Sequence, residues 1–252
     1  MFTFSEAQII AWISPWFWPF LRVLALFTTM PVLSTRAVSP RTRVLLAGFI
    51  AFAALPSLPP SPLIGLDDPQ ALGLVVQQVV IGMTLGFGVR IVFACVEFAG
   101  ELIGLQMGLN FAQFFDPMTG GQSTAVSRFL AAIITLLFLA TDGHLIVIAA
   151  VVRSFEVYPV APSIGAFLAK AQPQTWAKMI FQMGLWMALP LIGMLLFVNI
   201  VLGVIARVAP QMSIFSIGFP ITLSVGLVGL LATLPMLQGP FQLALEQMLG
   251  LF

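Results

Sequence analysis

Few side chains in this sequence could do chemistry, and the spacing of those few limits what that chemistry could be. Arg90, Glu97 and Glu101 follow one another at intervals of seven and four, so on a helix all three share one face. Ionisable groups at membrane depth are costly and ordinarily face a cavity or a partner. The trio reads either as a proton- or cation-responsive site or as an intrahelical or intersubunit ion pair, with plain exposure beyond a bilayer as a third reading. His144, the single histidine, sits beside Asp142 and Gly143. A metal centre wants three or four ligands, and no second histidine or cysteine lies nearby in the chain. A catalytic dyad needs an activated nucleophile, and Ser127 and Thr141 are merely available. A turn or helix-end role suits His144 better. Cys95, also alone, is flanked by Ala94 and Val96, which fits a small buried residue. The sequence carries no phosphate-binding glycine loop, no catalytic carboxylate pair and no basic nucleic-acid surface. The expectation is a protein that is not an enzyme, holds no cofactor or metal and, at a net charge of +1, attracts no nucleic acid.

Small and bulky residues carry more signal than charged ones. Gly100, Gly104 and Gly108 recur every four residues, a stripe that lets another helix approach closely and also weakens the helix it lies on. GLNFAQFFDPMTGGQS follows directly, from Gly108 to Ser123. Met107, Phe111, Phe114, Phe115 and Met118 bring soft apolar bulk to a segment that contains Asp116-Pro117 and Gly120-Gly121. Connecting loops are normally polar. An apolar one either packs on neighbouring helices or forms a hydrophobic constriction or plug around a passage.

The elements that must position these residues are membrane helices. Of 252 residues, 60% are hydrophobic and 8% charged, against roughly 45–50% and 25% in a soluble domain. Lipid or a large protein partner has to cover that surface. Six stretches approach the roughly 20 apolar residues of a spanning helix: Ile9–Leu33, Val44–Leu58, Leu72–Val96, Phe129–Val152, Met179–Ile205 and Ile214–Leu237. The second is short and ends in SLPPSP, which cannot continue a helix. Pro15, Pro19, Pro190, Pro220 and Pro235 fall inside spans, consistent either with the tolerance of membrane helices for proline or with a fold of bent, half-length helices. From Ala71 to Phe115 there is no proline. One helix of that length would reach about 67 Å, twice a bilayer core, so the region either extends beyond the membrane or folds back as a hairpin near Gly86, Gly88 or Gly100. The basic loop Arg36–Arg43 favours a cytoplasmic first loop, although Arg153, Lys170 and Lys178 would then lie outside. The first ten residues, MFTFSEAQII, carry no positive charge before the first apolar stretch, which is expected to remain in the mature chain. With no linker-like break, residues 1–252 read as one domain.

Three segments in order carry a family resemblance. WPFLRVLALFTTMPVLSTRAVSPRTRVLLAGFIAFAALPSLP, GELIGLQMGLNFAQFFDP from Gly100 to Pro117, and RVAPQMSIFSIGFPITLSVGL from Arg207 to Leu227 together resemble the FliR family of flagellar type III export-gate proteins. The resemblance implies an all-α, polytopic membrane fold of kinked helical hairpins, with about six membrane-type helices and with a hairpin preferred over one long third helix. It implies a core component of the export gate in the bacterial inner membrane at the flagellar basal body. Partners would be FliP, FliQ and FlhB, membrane lipid, and the unfolded flagellar subunits in transit. It further implies that Gln106–Gln122 plugs the closed pore. Met107, Phe111, Phe114, Phe115 and Met118 would seal it, Gly108, Gly120 and Gly121 would allow displacement, and Asp116-Pro117 would lie within the loop. Gly100 and Gly104 remain helix-packing positions, and Arg90, Glu97 and Glu101 a charged face. The homologous injectisome subunit is the near alternative. A secondary transporter is a distant one, because neither inverted repeats nor a midplane polar site is evident.

Overall fold

The fold is described from a computed structural model covering residues 6–60, 62–63, 68–109, 123–161, 167, 173–209 and 214–250. Among these residues every regular element is helical. The chain order is α1 (Glu6–Thr29), α2 (Pro40–Ala54), α3 (Ala71–Gln106), α4 (Ala125–Ala140), α5 (Gly143–Val157), α6 (Pro173–Val208), α7 (Ile214–Thr233) and α8 (Gln238–Leu249), with short 3-10 turns at Leu55–Ser57 and Leu234–Leu237.

Local sequence explains where these helices start and stop. Ser39 caps α2, its hydroxyl accepting the Thr42 N–H at 3.2 Å, and Pro40 takes the first helical position, where a missing N–H costs nothing. α2 then ends in the proline-bearing turn Leu55–Ser57 after only 15 residues. At about 22 Å it is too short to cross a bilayer core, so the second predicted span is corrected to a short helix. The fourth predicted span is a broken one. Thr141 caps the end of α4, and Asp142 enters the left-handed region at φ 55° before α5 begins. Asp tolerates that conformation better than most residues do. By length and composition four helical stretches, or five if the broken pair counts as one, suffice to cross a membrane. The protein is therefore a polytopic helical membrane protein, with four or five such stretches among the described residues.

The prolines do not halve the helices. Pro15 and Pro19 lie inside α1, Pro190 inside α6 and Pro220 inside α7; of the five, only Pro235 coincides with a change to 3-10 geometry. Nor does α3 fold back at a glycine. It runs unbroken for 36 residues, about 54 Å, which corrects the expected hairpin within it. Its glycines serve contact. A Cβ at Gly82 would fall on the Arg22 carbonyl oxygen, and one at Gly86 on the Thr29 hydroxyl. These two positions bring α1 and α3 together at backbone distance.

The helices form two compact units, Met1–Arg90 with Asp142–Trp176 and Leu245–Phe252, and Ile91–Thr141 with Ala177–Ala244. In the first, Trp18, Leu26 and Phe27 of α1 are buried, as are Leu74, Ile81 and Leu85 of α3 and Val147, Val151 and Phe155 of α5. In the second, Phe93, Phe138 and Phe241 meet edge to face, with centroids 5.6, 5.8 and 6.4 Å apart, the geometry aromatic quadrupoles favour. α6 differs from the rest. Only 17% of its most apolar window is buried within the chain, and Phe181, Trp186, Phe197 and Val208 are largely exposed.

Candidate functional site

The glycine stripe and the apolar segment after it meet at the end of α3. Gly108 lies in the left-handed region at φ 78°. Its N–H bonds to the Leu105 carbonyl and the Leu109 N–H to the Gly104 carbonyl, both at 3.1 Å. That pair of bonds is the Schellman termination, which uses glycine at the left-handed position. Gly108 therefore sets where α3 stops.

Beyond it, the chain returns at Thr124, the N-cap of α4, whose hydroxyl accepts the Ser127 N–H at 3.2 Å. Gly100 and Gly104 are the floor against which this N-terminus rests. A Cβ at Gly100 would lie 2.6 Å from the Ser127 Cα, and one at Gly104 2.8 Å from the Thr124 hydroxyl oxygen. Both separations are far inside van der Waals contact, so only glycine admits the approach. Hydrogen bonds hold it. The Ser127 hydroxyl donates to the Glu97 carbonyl at 2.9 Å, the Thr124 hydroxyl lies 3.4 Å from the Gly100 carbonyl, and the Thr124 N–H donates to the Glu101 carboxylate at 2.8 Å.

Met107, expected in the seal, is fully buried. Its side chain lies against Gly226 of α7, where a Cβ would come within 2.6 Å of it, and the buried Thr222 hydroxyl is 3.5 Å from its carbonyl. Met107 and Leu109 also line an apolar cavity of ≈ 480 Å³ together with Ala125, Val126 and Phe129 of α4 and Leu223, Leu227, Leu230 and Leu231 of α7. Phe111, Phe114, Phe115, Asp116, Pro117, Met118, Gly120 and Gly121 lie outside the described residues. Of the predicted charged face, Arg90 and Glu97 are exposed and Glu101 is half-buried. Glu101 is thus engaged as a helix cap, and its partner is a backbone amide rather than Arg90.

Sequence reasoning passed over one polar centre. Arg22 of α1 is fully buried. Its Nε donates to Gln78 Oε1 at 2.8 Å, Nη1 to the Ser154 hydroxyl at 2.9 Å and Nη2 to the Tyr158 carbonyl at 2.9 Å. The guanidinium also sits 3.6 Å over the Phe155 ring, a cation–π contact. These neutral partners spread the cation over α1, α3, α5 and the residue that ends α5. The planar fork of arginine suits three acceptors in three directions. The available signal was the adjacent Gln77-Gln78 pair, two amides in an apolar helix that need a polar neighbour.

His144 falls on the first turn of α5, in line with a helix-end role, and Cys95 is buried, its thiol 3.7 Å from the Met179 carbonyl. No group of three or more His, Cys, Asp or Glu able to hold a metal occurs among the described residues. The arrangement around Gly108 and Thr124 does its work by packing and capping.

Long apolar helices, glycine-mediated contacts and one desolvated arginine define a polytopic helical membrane protein built by helix association. Comparison with known proteins makes the class specific. The profile described as "Bacterial export proteins, family 1" matches residues 13–248. The flagellar biosynthetic protein FliR of Pectobacterium carotovorum subsp. carotovorum is 45% identical over 242 residues, covering 94% of this chain and 90% of that protein. That of Escherichia coli (strain K12) is 44% identical over 244 residues, 96% and 92% respectively. That of Bacillus subtilis (strain 168) is 28% identical over 244 residues, 92% of each. The chain belongs to the FliR family of bacterial export proteins.

Proposed function

We propose that this protein is a component of the flagellar type III export gate, set in the bacterial inner membrane at the basal body. Family membership across residues 13–248 is the observation that carries this reading. Residues 1–252 act in it as a single domain. It works in a complex with FliP, FliQ and FlhB, passes unfolded flagellar subunits, and performs no catalysis. The outward apolar faces of α6 and α7 then meet lipid and partner subunits.

Within the gate, Gln106–Gln122 is the plug. Met107, Phe111, Phe114, Phe115 and Met118 are its sealing side chains, Gly108, Gly120 and Gly121 allow its displacement, and Asp116-Pro117 belongs to the same segment. Two observations and one physical argument support this. The segment is apolar where a loop should be polar. Gly108, near the start of that segment, ends α3, and the glycine floor seats the returning helix. Apolar contacts seal well against water and ions because wetting them is unfavourable. Removing Phe111–Gly121 tests the assignment: the complex still assembles, and resting leak of small ions across the inner membrane rises. Wild-type leak in an assembled deletion variant would refute the plug.

A further inference from the structure

The segment between Gly108 and Thr124 begins and ends on one small platform, and the atoms that close the platform lie outside it. A capping box normally works within one helix. The N-cap hydroxyl accepts the N–H three residues on, and a Glu or Gln at that third position accepts the N–H of the cap residue. α4 has the first half, Thr124 Oγ1 with the Ser127 N–H at 3.2 Å. It lacks the second, because its third position is Ser127, whose hydroxyl is turned to the Glu97 carbonyl. Glu101, one helix away on α3, supplies the missing half by accepting the Thr124 N–H at 2.8 Å. Its negative charge also lies at the positive end of the α4 dipole. Glu101 stands one turn before the Schellman end of α3, so this single bond ties the end of one helix to the start of the next.

We propose that Glu101 is a positioning residue for the plug, a cap in trans that holds the two stems at a fixed separation and keeps the seal in register. This rests on the plug reading of Gln106–Gln122. The glycines at 100 and 104 make the approach possible, and the Glu101 carboxylate makes it stay. Glu97 contributes through its backbone carbonyl. Its side chain is exposed, and Arg128, one turn into α4, carries no acceptor for a backbone N–H.

The test uses the intact chain in its membrane complex, with resting ion leak and amount of assembled complex as readouts. Glu101→Ala is expected to raise leak about tenfold, the population shift that corresponds to a lost cap at about 1.4 kcal/mol per decade, with assembly unchanged. Glu101→Gln keeps a carbonyl acceptor for the Thr124 N–H, and its leak stays within about twofold of wild type, since a neutral bond retains part of a charge-assisted one. Gly104→Ala, which keeps every hydrogen-bonding group but pushes on Thr124, raises leak as well and gives a second readout should Glu101→Ala fail to accumulate. Leak in the Phe111–Gly121 deletion combined with wild-type leak in Glu101→Ala and Gly104→Ala overturns the latch and leaves the plug standing. Wild-type leak in the deletion overturns both. Equal leak from Glu101→Gln and Glu101→Ala also overturns the latch, because the acceptor would then be irrelevant.

Discussion

Replacing Arg22 by Ala tests whether the buried cation organises the first unit. In the native chain three donors of one guanidinium serve Gln78, Ser154 and the Tyr158 carbonyl, and its face lies on Phe155. Hydrogen bonds from a charged donor contribute about 1.5–3 kcal/mol each, and a desolvated cation–π contact about 2 kcal/mol. Burying the charge costs several kcal/mol, which offsets much of that sum. Ala does not simply return the molecule to neutrality. It leaves the Gln78 Oε1 and the Tyr158 carbonyl deprived of the Arg22 donor in an apolar core and opens a cavity where a long side chain lay. Loss of buried donors costs about 1–3 kcal/mol per acceptor, so the expected destabilisation is about 3–5 kcal/mol. At ~2–4 °C per kcal/mol for a chain of this size, the apparent Tm in detergent falls by roughly 6–20 °C. Thermal unfolding of the purified chain, read by intrinsic tryptophan fluorescence, measures it. Arg22→Lys recovers less than half of the loss, because one ammonium cannot reach acceptors that lie in three directions. An Ala variant within about 2 °C of wild type, or a Lys variant equal to wild type, would refute the reasoning.

Three further outcomes follow from packing and helix propensity. Gly226→Val places branched bulk on the Met107 side chain and lowers stability by about 1–3 kcal/mol through overpacking, whereas Gly203→Ala, with nothing within 4 Å of its Cβ, raises it by about 0.5–1 kcal/mol through helix propensity; denaturation in the same detergent separates the two. Phe138→Ala removes the ring shared by Phe93 and Phe241 and costs about 3–5 kcal/mol, read as a lower midpoint in chemical denaturation.

The apolar stretches around α1, α3, α6 and α7 were visible in the sequence because twenty or more apolar residues in a row have few other fates. Their internal limits were harder to see. The broken span around Thr141 turns on one left-handed Asp142, and composition alone does not separate it from a continuous helix. The end of α3 was marked by Gly108, yet Gly86, Gly88 and Gly100 looked equally capable of ending it. At two of them the difference is what the glycine faces, since Gly86 faces α1 and Gly100 faces α4. The candidate site divides in the same way. The stripe of Gly100 and Gly104 was legible from its period, and its occupant was not. Glu101 was noticed for its charge, but its partner, a backbone amide 23 residues on, leaves no trace in residue types. Arg22 escaped because its partners lie 56, 132 and 136 residues away, separations that a reading of local periodicity does not reach.

The seat of α4 on Gly100 and Gly104 also bears on how this stretch of sequence can change over generations. A methyl at 104 meets Thr124, and one at 100 meets the backbone at Ser127. The two sites differ in what could relieve the clash. A smaller residue at 124 makes room for Ala at 104 at the expense of the cap, so those positions drift as a pair, and the second substitution is tolerated only in the presence of the first. At 100 the obstacle is main chain, which no side-chain change removes. Position 104 is therefore epistatic with 124, while position 100 is closed to any residue but glycine so long as α4 keeps its present seat.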